Sequence, residues 1–292
     1  MQLWKSGKVQ GVFLSSGIIG GGVRAQDGLL DTAEILRHKL GYRGYLHLKI
    51  MPGAEKDQIL RGMQLANRVS VNLEAPSERR LAGLAPQKVF LDELLTRLRW
   101  IEEIRREEPA HLGWNGHWPS STTQFVVGAA GESDLELLQT TAFLQERLRL
   151  ARVYYSAFNP IEDTPLVELP PTDPWREHRL YQASFLLRDY GFQFEEMPFD
   201  PHGNLPLQVD PKLAWARETL LQAPVEVNRA DFSELLRVPG IGPRGARSIL
   251  NARQHHRLRR LEDLRALGII TGRAAPFLLI NGKRPPLQLS LF

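Results

Sequence analysis

Between residues 239 and 242 the chain reads Pro-Gly-Ile-Gly, followed by Pro243, Arg244, Gly245 and Arg247. Two glycines in a four-residue turn let the backbone pass close to a neighbour, and a proline at the first position of a helix gives up an amide with no intrahelical partner. The remaining amides of such a helix start point outward with partial positive charge, a site for a phosphate oxygen. From Leu235 to Leu261 there is no acidic residue, whereas Arg237, Arg244, Arg247, Arg253, Arg257, Arg259 and Arg260 are all basic. Pro239, Gly240, Ile241, Gly242, Arg244, Gly245 and Arg247 therefore form a candidate DNA-binding set directed at the phosphate backbone. The alternative is a tight turn that only joins two core helices.

The elements needed to hold that turn are legible on both sides. Leu235, Leu236, Val238, Ile241, Ala246, Ile249 and Leu250 fall at helical core spacing, with arginines on other positions. The pattern resembles a helix-hairpin-helix. A degenerate second copy follows, with residues 261–267 and 273–279 flanking the 268–272 turn, and is expected mainly to pack against the first.

Charge is distributed unevenly along the 292 residues. From Glu226 onward twelve Lys and Arg face five Asp and Glu, a balance of +7, which leaves −3 for the rest of a chain whose total is +4. A mildly acidic body with a basic tail is expected to meet a polyanion through the tail. Cysteine is absent, which excludes disulfides and thiolate metal sites within this chain. His47, His111 and His117 lack matched partner spacing, so no metal site is expected. No apolar run reaches membrane-spanning length and the N-terminus does not lead into a signal peptide, so the expectation is a cytoplasmic protein without membrane contact.

Ahead of the basic tail, strand-like runs at residues 9–14, 44–50, 68–73, 124–129 and 153–158 alternate with amphipathic stretches at 29–40, 55–66, 90–106 and 134–149. That alternation predicts an α/β fold with a parallel sheet of βα units, whose loops after the strands make the functional edge. Five strands are too few to close an eight-stranded barrel. A proline-rich stretch at 160–174 leads to a helix at 175–190, a connector to Pro211 and a short helix at 212–221. The expected organisation is a partial barrel over 1–168, a helical connector over 169–225, an all-α helix-hairpin-helix module over 226–285 and a tail over 286–292.

Taken together, residues 11–17 (GVFLSSG), 44–53 (GYLHLKIMPG), 68–76 (RVSVNLEAP), 122–134 (TTQFVVGAAGESD), 176–182 (REHRLYQ) and 225–231 (VEVNRAD) resemble the radical-SAM proteins of DNA modification or repair that carry a C-terminal helix-hairpin-helix. The resemblance implies a radical-SAM partial parallel (β/α) barrel in which a three-cysteine motif after the first strand holds a [4Fe–4S] cluster that cleaves S-adenosylmethionine. This chain has no cysteine and starts near the family's second strand. The expectation is that the first strand and cluster segment lie upstream, are encoded separately, or have been lost with the chemistry. By position, the resemblance places Ser15, Ser16 and Gly17 at the methionine amino group, Asn72 and Glu74 at ribose and carboxylate, and Gly128 and Glu132 in the loop that packs on adenine. No catalytic residue is nominated. Lys49, at a strand end, could meet a substrate phosphate or only solvent.

Residues 288–292 (QLSLF), after Lys283, Arg284, Pro285 and Pro286, resemble the pentapeptide by which bacterial replication and repair proteins bind the sliding clamp. Gln288 would anchor the backbone, and Leu289, Leu291 and Phe292 would follow it into the clamp, the last two filling apolar pockets. Two functions are thus expected in competition. One is the DNA-binding portion of a radical-SAM protein, with the hairpin delivering DNA to the barrel. The other is a non-catalytic helix-hairpin-helix DNA-binding protein on a remnant barrel scaffold.

Overall fold

The computed structural model describes residues 2–18, 20–84 and 91–286. It divides into two compact units, Met1–Glu177 and His178–Phe292. No helix among the described residues is long and apolar enough to cross a membrane.

The first unit opens with a single turn, α1 (Gln2–Lys5), then β1 (Gly11–Leu14) and α2 (Gly22–Glu34), which runs on as a π-helical turn over Ile35–Lys39. It continues through β2 (Tyr45–Lys49), α3 (Lys56–Leu65), β3 (Arg68–Ser70), α4 (Glu78–Leu84), α5 (Leu91–Glu107), β4 (Ser120–Val127), α6 (Asp134–Leu148) and β5 (Arg152–Ala157). All five strands pair in parallel in the order β1-β2-β3-β4-β5. With no reversal of order, each right-handed crossover adds its helix to the same face. Accordingly α2 packs on α3, α3 on α5, and α5 on α6. The core lies between sheet and helices: Leu46, Leu48, Val69, Phe125, Val127, Val153 and Tyr155 alternate toward the helices and are buried.

Two expectations about extent are revised. The helix expected from residue 29 is α2 and begins at Gly22, where the chain passes so close to the next loop that a Cβ would lie 1.6 Å from the Pro52 carbonyl oxygen. The glycine-rich stretch is a helix start, not only a loop. The fourth strand begins at Ser120, four residues before the apolar run, because the β-branched Thr122 and Thr123 already pair in its register.

Arg37, at the π-helical turn, ties the N-terminal part of this unit together. Its guanidinium donates to the carbonyls of Leu65 (2.8 Å), Tyr42 (2.9 Å) and Gly44 (2.8 Å) and to Asn67 Oδ1 (2.9 Å), and stacks 3.8 Å from the Trp114 ring. Asn67 Oδ1 also accepts the Leu46 amide at 2.9 Å, so one buried cation links helix, strand and loop. Burial pushes the Arg37 pKa down to about 10.

The second unit takes in the remainder of α7 (Pro174–Asp189), then α8 (Pro211–Thr219), β6 (Val225–Glu226), α9 (Phe232–Arg237), α10 (Pro243–His255), α11 (Leu261–Ala266), α12 (Thr271–Ala274) and β7 (Leu278–Leu279). One apolar cluster joins α8 to α12, with Val227, Leu236, Val238, Ile249, Leu264 and Phe277 among its buried members. The expected all-α module is corrected here: β6 and β7 form a two-residue parallel pair, Val225 opposite Leu278 and Glu226 opposite Leu279, which brings the two ends of the module together.

Lys212 is the buried charge of this unit. It is 9% exposed, its Nζ donates to the Ile241 carbonyl at 2.6 Å and lies 4.8 Å from the Tyr190 ring, and Asp210, Arg237 and Arg273 are the charged groups nearby. Burial pushes its pKa from 10.5 down to about 7, with Asp210 acting in the opposite direction. Between these values the unfolded chain holds the proton and the folded chain releases it, so the contribution of Lys212 to stability rises with pH through that window and is flat below it.

Two predictions follow from these buried cations. Urea unfolding should show Arg37→Met destabilised by about 3–5 kcal/mol, because three carbonyls lose their donor, against no more than about 1 kcal/mol for Arg61→Met, whose half-exposed guanidinium pairs with Asp31 and Glu34. Relative to Lys212→Met, the wild-type chain should gain up to about 1.4 kcal/mol per pH unit between pH 7 and 10, and parallel stability curves for the two proteins would contradict this assignment.

Candidate nucleic-acid interface

The hairpin is built from its caps inward. Asp231 caps α9, its carboxylate accepting the Glu234 amide at 2.8 Å while Glu234 accepts the Asp231 amide at 2.7 Å. These hydrogen bonds hold the Asp231 carboxyl below its usual pKa. After α9 the turn closes with the Ile241 amide on the Val238 carbonyl at 3.1 Å. Gly240 adopts φ +84°, and a Cβ there would stand 2.6 Å from the Ile270 carbonyl oxygen. Both facts require glycine. Gly242 is different: at φ −106° its added Cβ would meet only the Tyr190 hydroxyl, at 3.4 Å.

Pro239 and Ile241 point inward and are buried, so any ligand meets this part of the turn through its backbone. Gly242 caps α10 without a side-chain hydrogen bond, and Pro243 is its first residue. The amides of Gly242, Arg244 and Gly245 find no acceptor among the described residues. Three donors and the positive end of a 13-residue helix thus face outward together. Gly245 also has a packing role, since a Cβ on it would approach Ile269 Cδ1 to 2.5 Å.

The arginines separate into two groups that their sequence does not distinguish. Arg237 is spent inside the unit, with Nη1 2.5 Å from Glu196, Nη2 3.0 Å from the Gly191 carbonyl and its guanidinium 4.1 Å from the Phe192 ring. Arg253 donates to the carbonyls of Val227 at 3.2 Å and Ala230 at 2.6 Å. Arg260 lies 3.6 Å from Asp263. In contrast Arg244, Arg247, Arg257 and Arg259 are exposed and have no ion pair among the described residues. Arg244 and Arg247, three apart on α10, share the helix face next to the free amides.

The second hairpin packs as its sequence implies. Gly268 turns at φ +81°, the Ile270 amide reaches the Gly240 carbonyl at 3.4 Å, and Leu264, Ile269 and Ala274 enter the common core. Its second helix is only four residues long before a 3-10 turn at Ala275–Phe277. Lys212, which anchors the first turn from below through Ile241, carried no motif signal at all. The tail residues Gln288, Leu289, Leu291 and Phe292 lie outside the described residues.

In the first unit the residues nominated for S-adenosylmethionine all follow strands of one parallel sheet. Ser15, Ser16 and Gly17 are exposed after β1, and the Ser16 hydroxyl donates to the Gly17 carbonyl at 2.9 Å. Asn72 and Glu74 follow β3, with Glu74 at φ 66° and bridged to Phe125. Gly128, at φ +99°, has Thr172 Oγ1 where a Cβ would be. The Glu132 carboxylate accepts the amides of Gly128 at 2.5 Å and Ala130 at 3.2 Å and lies 3.7 Å from Arg176. Glu132 thus clasps its own loop.

A family model described as a helix-hairpin-helix motif matches residues 222–271, which spans β6, both helices of the hairpin and the start of the second turn. No curated protein matches the chain. The matched segment contains the capped helix, the glycine turn, the free amides and the unpaired arginines, an arrangement suited to binding a nucleic acid.

Proposed function

We propose that this chain binds DNA through the phosphate backbone, gripping it with the 239–242 turn and the N-terminus of α10. The observation that carries the reading is the convergence of the free Gly242, Arg244 and Gly245 amides with Arg244 and Arg247, which no carboxylate neutralises. Backbone amides and arginines at this spacing hold phosphates without reading base edges, so sequence preference should be slight. Arg257 and Arg259 add charge beyond the end of α10.

The resemblance to radical-SAM proteins supports a second proposal, that the sheet is a barrel wall and that Ser15, Ser16, Gly17, Asn72, Glu74 and Gly128 contact S-adenosylmethionine. Its support is that parallel strands carry these loops to one edge. The residues do not fit a [4Fe–4S] cluster: no thiolate exists in the chain, and among the described residues no group of three or more His, Asp or Glu is placed to hold a metal. A separately supplied cluster segment and clamp binding by the 288–292 tail are likewise proposals that rest on the sequence. Calorimetry with S-adenosylmethionine decides the cofactor reading; saturable heat that Asn72→Ala weakens is expected, and no heat at millimolar ligand would remove it.

DNA binding is tested by fluorescence anisotropy on a duplex. Gly242→Ala should weaken binding about tenfold or more with an unchanged melting temperature, because only ordinary contact is made inside the protein. Gly240→Ala should instead lower stability by about 1–3 kcal/mol through its positive φ and the Ile270 contact. Arg244→Gln with Arg247→Gln should flatten the log–log salt slope by about 0.9 per arginine, whereas Arg253→Gln should leave the slope intact. Equal affinity and equal slope in Gly242→Ala and the double arginine variant would refute the proposal.

A further inference from the structure

Parallel sheets are ordinarily covered on both faces by apolar contacts. Here the face turned away from the helices is polar. Register places three rows of side chains across it: Phe13, His47, Arg68 and Ser120; then Lys49, Ser70, Thr122 and Arg152; then Gln124 with Tyr154, to which Asn72 is added two residues beyond Ser70. A cavity of about 390 Å³ opens on this face, lined by His47, Lys49, Ser70, Asn72, Thr122 and Gln124 among others, with no Asp or Glu among its lining residues.

Thr123 Oγ1 accepts the Leu73 amide and the Tyr154 hydroxyl accepts from Arg68, but most of the hydrogen-bonding capacity of this cavity is unspent. His47 Nε2 and Thr122 Oγ1 are buried without a partner, and Thr122 is 0% exposed. The side chains of Lys49, Ser70, Asn72 and Gln124 make no hydrogen bond to any described residue. A buried donor or acceptor left unpaired is destabilising, so such a cluster is retained where something else completes it. Lys49 is the cation within the cavity, and Arg68 borders it, opposite His47 in register and donating to the Tyr154 hydroxyl at 3.1 Å. Burial, with Arg68 nearby, keeps the His47 ring neutral and pushes its pKa down to about 4, so it offers an imidazole and not a second charge. Aromatic surface flanks the polar floor: Phe13, 57% exposed, lies 4.6 Å from the His47 ring, and Tyr45, 41% exposed, is near Arg68.

We infer that this sheet face is a binding site for a phosphate-bearing nucleotide unit, with Lys49 at the phosphate, the Gln124 amide and the Thr122 hydroxyl on polar edges, and Phe13 against the base. The volume suits one nucleotide, and the pairing of a cation with exposed rings matches the two ends of such a ligand. The inference is independent of the hairpin, because it rests wholly on residues of the first unit. A free nucleotide and a nucleotide within a polynucleotide strand present the same chemistry to this site.

The full chain, carrying Gly242→Ala, Arg244→Gln and Arg247→Gln to silence the hairpin, is titrated calorimetrically with each of the four deoxynucleoside monophosphates, with deoxyadenosine, and with a single-stranded trinucleotide. At least one monophosphate should saturate, deoxyadenosine should bind about tenfold or more weakly, and Lys49→Gln should remove that difference. Thr122→Val should weaken the monophosphate while leaving the melting temperature equal or higher, which a purely structural threonine would not do. Trinucleotide binding that Lys49→Gln weakens identifies a strand as the source, and monophosphate binding alone identifies a free nucleotide. Absence of saturation by every monophosphate and by the trinucleotide overturns the inference, as does binding indifferent to both Lys49→Gln and Thr122→Val.

Discussion

The second unit depends on the close approach of two turns. Gly240 lies so close to the Ile270 carbonyl that a Cβ would stand 2.6 Å from its oxygen, and it does so at a positive φ that glycine alone adopts freely. From the other side Lys212 holds the Ile241 carbonyl. With the turn fixed at both residues, Gly242 is left as an uncapped helix start whose amides have nowhere to go inside the protein. The outward donors are therefore a consequence of how the turn is packed. Side chains contribute charge beside them but do not create the site.

The first unit obeys a different constraint. Five parallel strands added in sequence put every crossover helix on one face, and the chain covers that face with leucine, isoleucine and valine. The opposite face receives alternate residues of the same strands, and these are mostly polar, with histidine, lysine, arginine, serine, threonine, asparagine and glutamine beside Phe13 and Tyr154. The alternation makes one strand serve two chemistries: Leu46 and Leu48 enter the core while His47 and Lys49, between and beside them, line a cavity.

What could be read from sequence divides along the range of the interactions involved. The hairpin was legible because its requirements are local: glycines sit at fixed offsets and Pro243 opens the next helix, whereas the Asp231 cap of α9 was not read from the sequence. The strands were legible for the same reason, though Ser120 to Thr123 were too polar to look like strand and Gly22 too flexible to look like helix. The division of the arginines was not legible. Arg237 and Arg253 differ from Arg244 and Arg247 only in what lies opposite them, and those partners come from residues 191, 196, 227 and 230. Glu132 was visible as a polar loop residue, but its engagement with Gly128, Ala130 and Arg176 needed the folded loop.

The two polar surfaces are consequently different kinds of object. At the hairpin the donors are main-chain amides, so conservative side-chain replacement leaves them in place and only a change at the backbone, as at Gly242, alters them. On the sheet the backbone is consumed by strand pairing, and all remaining capacity lies in side chains that single substitutions erase. A surface of the first kind suits a repetitive polyanion, since identical phosphates need no selection. A surface of the second kind places distinct donors, acceptors and rings at fixed positions, which is what discrimination between small ligands requires.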